Sequence, residues 1–184
     1  MPSKDIVTPR LVTWNAFSGP GMFCMEHREF AWDYPFPSGI AEGERLQAML
    51  DGLIREKGFR TLQFRWYEGQ YGPILLDRMT ADDFIQVDTQ ALPRILDEMV
   101  TQSSRAFHGF VYEKGEPETV RGKLMSLLSL LPMGRDALYW RYDVPFVKSN
   151  PKDGKLQDPT LFDFFHFLIG MDDNGCHTLC LFYD

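Results

Sequence analysis

Two periods of apolar recurrence alternate along the chain, one near 3.6 residues and one of two, and together they predict its elements. Leu46, Met49, Leu50, Leu53 and Ile54 fall on one helical stripe. Ser38 offers a cap for this helix, Glu42 and Glu44 lie early, Arg55 and Lys57 late, and Gly58 reads as its terminator. A second helix over about 89–102 gathers Leu92, Leu96, Met99 and Val100, with Pro93 tolerated in a first turn whose backbone donors lack partners anyway. In a third, about 118–131, Val120, Leu124, Leu127, Leu128 and Leu131 form a stripe that Met125 and Leu130 widen. Such a helix is covered on more than one side.

Strand patterns outnumber the helices. Residues 61–67 alternate, with Leu62, Phe64 and Trp66 on one face, and a Gly-rich turn at 68–72 leads into 73–77. Residues 11–16, 22–30, 105–113 and 137–144 read as further strands. Asn174-Gly175 suits a type I′ turn between strands at 164–173 and 176–183. That turn pairs Asp173 with Cys176, Asp172 with His177, Ile169 with Cys180 and His166 with Tyr183. One face then carries Phe165, Phe167, Ile169, Cys180 and Phe182, the other Phe164, Leu168, Leu179 and Leu181, so the hairpin is covered on both sides. The element order lacks strict strand–helix alternation and predicts an α+β fold: a largely antiparallel or mixed sheet, about three helices and a buried C-terminal hairpin. The apolar pattern continues from Leu11 to Phe182 without a repeat or a separating linker, so one domain over 1–184 is expected, with a mobile polar loop near 148–158.

Charge narrows the partners. With 19 Lys and Arg against 26 Asp and Glu, the net charge is −7, unfavourable for a nucleic-acid backbone or an anionic membrane. No apolar run reaches the roughly 20 residues a bilayer-spanning helix needs, and residues 1–20 lack a signal-peptide pattern. Three cysteines suit a reducing compartment, and a cytoplasmic protein is expected.

Candidate chemistry is sparse. Cys24 and His27 have C-x-x-H spacing and Cys176, His177 and Cys180 add metal-ligand types, yet Cys176 and Cys180 on one strand stand about 13 Å apart, too far to share a zinc ion. A thiol nucleophile needs a base among His27, His108, His166 and His177, and Cys24 with His27 face opposite sides of any regular strand. Serine-elbow and phosphate-loop patterns do not occur. Asp82 and Asp83 after Thr80 read as a capped helix start, Asp172 and Asp173 as turn residues, and Glu113, Glu116 and Glu118 as solvated. Lys148, Lys152 and Lys155 read as a solvated loop.

The aromatic excess has more functional colour. Phe23, Phe30, Trp32, Tyr34 and Phe36 crowd a short stretch that Pro35 and Pro37 keep out of helices and central strands. Trp32, Asp33, Tyr34 and Phe36 are therefore expected to form a partner-binding surface, the alternative being a lid with its rings buried on the sheet. Trp66, Tyr67, Tyr71, Trp140 and Tyr142 pose the same question. The expected function is a non-enzymatic binding domain that neutralises or regulates a more basic protein, as inhibitors and toxin-immunity proteins do, with no cofactor and no metal. Two alternatives stand beside it: a small enzyme built on Cys24, His27, His108 or His177, and an aromatic-lined small-ligand binder.

Overall fold

A computed structural model describes residues 7–18, 23–60, 70–98, 122–123, 125–132, 137–144 and 164–183. The chain opens with strands β1 (Pro9–Ser18) and β2 (Phe23–Trp32), then helices α1 (Glu42–Leu53) and α2 (Lys57–Arg60). A small pair, β3 (Gln70–Tyr71) and β4 (Ile74–Leu75), leads through short 3-10 turns to β5 (Phe84–Val87). Residues 92–98 and, further on, 122–123 and 125–128 are helical. Strand β6 (Leu138–Tyr142) and the hairpin of β7 (Phe164–Met171) and β8 (Gly175–Tyr183) complete the described elements. Six strands form one antiparallel sheet in the order β1-β2-β8-β7-β6-β5, so the fold is α+β as the pattern predicts. Among the described residues no helix is long and apolar enough to cross a membrane.

Strand alternation sends side chains to two covered faces. On the first, Phe30, Phe167, Ile169, Cys176, Cys180 and Phe182 pack under Leu46, Met49, Leu50 and Leu53 of α1 and Phe59 of α2. On the second, Met25, Leu168, Leu179 and Leu181 pack with Leu92 and Leu96 of the 92–98 helix and with Leu127 and Leu131. Each fully buried Leu or Phe contributes roughly 1.5–3 kcal/mol, which is why both faces of the hairpin are apolar.

The hairpin faces fall as alternation predicts, but its register differs by two residues. Met171 pairs with Cys176, Phe167 with Cys180 and Phe164 with Tyr183, which leaves Asp173 and Asn174 at the tip. Asp172 causes the shift. Its Oδ1 accepts hydrogen bonds from the Asn174 and Gly175 amides at 2.8 and 3.0 Å, and its own N–H donates to the Gly175 carbonyl at 3.0 Å. This Asx turn replaces the expected type I′ turn and moves Gly175 into β8.

Helix ends also differ from expectation. Ser38 does not cap α1; it lies in a turn closed by Ile40 N–H donating to the Pro37 carbonyl at 3.3 Å, and Ala41 precedes the helix without a side-chain cap. Gly58 does not end the helical path, because Glu56 Oε2 accepts from Phe59 N–H at 2.8 Å and starts α2. Thr80 and Asp83 form the expected capping box, but only one 3-10 turn follows before strand β5, which the apolar pattern missed. The sequence expectations at 61–67, 99–121 and 148–158, with residue 124 of the third helix, lie outside the described residues.

Candidate functional site

The segment following β2 is tied down at its base on two sides. Trp32 backbone N–H donates to the Asn174 carbonyl and its indole Nε1–H to the Asp172 carbonyl, both at 3.1 Å, so one residue holds the β7–β8 turn through its backbone and its ring. Asp33 N–H donates to the Thr8 carbonyl at 3.0 Å. Phe36 returns against Trp32 with ring centroids 5.4 Å apart and planes tilted by 58°, and both rings pack on the first-face core. Tyr34 lies between these anchors and is 66% exposed, with Pro35 exposed beside it. Pro35 and Pro37 restrict the backbone on both sides of Phe36, so little conformational freedom remains to be lost on binding.

The four expected partner-binding residues therefore divide by placement. Trp32 and Phe36 are half-buried anchors and Tyr34 is the projecting ring. Asp33 shares its carboxylate with Arg10, whose Nε lies 3.0 Å from Asp33 Oδ1 on the surface. An exposed pair of this kind contributes little to stability, but it offsets the Asp33 charge locally. Asp173, at the tip of the turn that Trp32 holds, is also exposed, as are Glu42 and Glu44 in the first turn of α1.

The described cysteines and histidines lie on the strands of the sheet. Cys24, Cys176 and Cys180 are buried in the first-face core, and burial pushes the Cys176 and Cys180 thiols well up, with Asp172 acting in the same direction on Cys176 and Glu26 on Cys180. Neither is disposed to form a thiolate nucleophile. His27 projects to the opposite face from Cys24. There the Asn15 amide nitrogen lies 3.3 Å from His27 Nδ1, and His27 Nε2 lies 3.2 Å from His177 Nδ1. With Asn15 as donor, His27 carries its proton on Nε2 and donates to His177. Burial, aided by His177, pulls His27 down to about 4. Burial likewise lowers His177, against the opposing pull of Glu29 and Asp172, and lowers His166 to about 4 with help from Arg141. His108 lies outside the described residues. No local spacing signals the His27–His177 bond, because the β2–β8 pairing that creates it joins strands from opposite ends of the chain.

A second buried polar cluster faces α2. Arg28 and Glu26, 0% and 1% exposed, form an ion pair at 2.6 Å, and Arg28 Nη1 donates to the carbonyls of Gly58 and Phe59 at 2.8 and 3.0 Å. The Trp14 ring lies over this guanidinium at 4.4 Å. Here the arginine ties β1, β2 and α2 together. Among the described residues no group of three or more His, Cys, Asp and Glu side chains is placed to hold a metal ion. Compared with known proteins, the chain matches no family, no curated protein and no solved structure.

Proposed function

We propose that the chain is a non-enzymatic protein-binding domain that neutralises or regulates a more basic partner, in the manner of an inhibitor or a toxin-immunity protein. The observation that carries this reading is Tyr34, a ring 66% exposed on a segment whose flanking rings are anchored. Solvating an aromatic ring on a rigid support has no structural advantage, whereas desolvating it against a partner yields affinity at small entropic cost. The net charge of −7 speeds encounter with a basic surface and makes that encounter sensitive to salt. Division of labour follows: Tyr34 supplies contact, the surrounding carboxylates supply steering, and Trp32 and Phe36 hold the shape.

Capture from the native lysate tests this reading. The tagged protein is expected to retain one stoichiometric basic protein, less of it as salt rises. Tyr34→Ala should weaken retention about 30-fold, the loss of a contact worth about 2 kcal/mol, while leaving the thermal midpoint unchanged. Trp32→Ala should instead lower the midpoint, because it removes the indole bond to the β7–β8 turn and the ring packed on Phe36. Equal retention by wild type and Tyr34→Ala, or retention indifferent to salt, would overturn the proposal.

A further inference from the structure

Between the first turn of α1 and the outer strand β5 runs an open groove of about 560 Å³. Phe84 and Trp140, both buried to within a tenth of their surface, line it from one sheet face, and Gln86, paired with Trp140 across β5 and β6, is exposed beside them. The exposed carboxylates of Glu42 and Asp82 also line it, and none of the described lining residues is basic. Its walls are fixed to each other: Ala81 N–H donates to Gln47 Oε1 of α1 at 2.9 Å, and the Thr80–Asp83 capping box sets the turn that bears Asp82. A glycine, Gly43, occupies the second position of α1 at the groove, and a Cβ added there would meet no atom within 4 Å. A larger residue would favour the helix and occupy that open space.

Resting on the partner-binding reading above, we propose that this groove receives an arginine side chain of the basic partner, its guanidinium against the Trp140 and Phe84 rings and between the Glu42 and Asp82 carboxylates. Charge complementarity selects a cation over an apolar side chain. The α1 N-terminus presents about half a positive charge, which two full carboxylates outweigh. A planar, weakly hydrated guanidinium stacks on aromatic rings and bonds carboxylates through its fork, whereas an ammonium remains a strongly hydrated point charge. The chain segment from Trp32 to Glu42 carries Tyr34 and ends at the groove-lining Glu42.

NMR titration of the full chain with N-acetyl-arginine amide tests the groove directly. The Trp140 indole N–H and the Gly43 and Ala81 amides are expected to shift saturably, whereas N-acetyl-norleucine amide leaves them in place. The double variant Glu42→Gln/Asp82→Asn should weaken binding about ten-fold or more, the scale of one lost charge contact. Gly43→Leu should abolish the shifts without lowering the thermal midpoint. Absent shifts, equal shifts with the norleucine probe, or shifts unaffected by these variants would overturn the proposal. Lysate capture separates the two readings. A basic partner lost by Tyr34→Ala but retained equally by Gly43→Leu removes the groove and leaves the binding reading standing. Failure of the wild type to capture a basic partner removes the binding reading itself and the groove's partner with it.

Discussion

At the scale of single residues, His27 connects burial to pH. Its imidazole is 1% exposed, and as a bonded neutral ring between Asn15 and His177 it titrates near 4 instead of 6.5. Because the folded value is the lower one, the unfolded chain binds more protons between those values, so stability is complete above about pH 6.5 and falls as pH drops towards 4. From pH 7 to pH 5 the loss attributable to His27 is about 2 kcal/mol. Urea unfolding at the two pH values checks this: wild type should lose at least that much, and His27→Phe measurably less. The buried Glu26–Arg28 pair gives a second residue-scale expectation. Glu26→Ala leaves a guanidinium buried without its counter-charge and should cost about 3–5 kcal/mol, whereas Glu26→Leu/Arg28→Met should cost less than the sum of its two single changes. Strict additivity in urea unfolding of the set would show that the two side chains are not energetically coupled.

Elements show what the amino-acid pattern can and cannot transmit. Both faces of the β7–β8 hairpin were legible because a side-chain period of two survives a two-residue slip in register. The register itself was not, because the Asp172 carboxylate, not Asn174-Gly175, shapes the turn. Helix α1 was legible from its stripe, while its true end at Leu53 and the start of α2 after Glu56 were not, because the Glu56 contact lies outside the apolar period. Strand β5 was missed because Thr80 to Asp83 forms a genuine cap over only one turn. Of the candidate site, the prolines and the aromatic crowding could be read along the chain. The sorting into anchors and projecting ring could not, since it depends on where the β7–β8 turn meets Trp32. Gly175 carries an element-scale prediction. A Cβ there would lie 2.0 Å from the Phe30 carbonyl oxygen, so the β2 backbone passes too close for any side chain. Gly175→Ala should force β2 and β8 apart at this end and destabilise by about 1–3 kcal/mol, and faster amide exchange along 28–31 than along 164–168 would locate the damage.

For the whole molecule, chemistry gathers at one connection: the stretch between Trp32 and Glu42 crosses from the β2 end of the sheet to the α1 start, linking Tyr34 to the groove over Trp140. Function on this reading belongs to a surface that the sheet supports, and the sheet keeps its own polar groups, the His27 and Arg28 clusters, turned inward. The strand order adds a consequence for biogenesis. Strand β8, which follows the other described strands along the chain, lies between β2 and β7 in the middle of the sheet. Until it emerges from the ribosome, the β1–β2 ribbon and the β5–β6–β7 portion cannot join, and Phe30 and Met25 lack the strand that covers their flank. Pairings between residues so distant in sequence form slowly. A chain made only as far as β7 thus carries an unpaired β2 edge and open apolar faces until the nine-residue β8 pairs with β2 and β7.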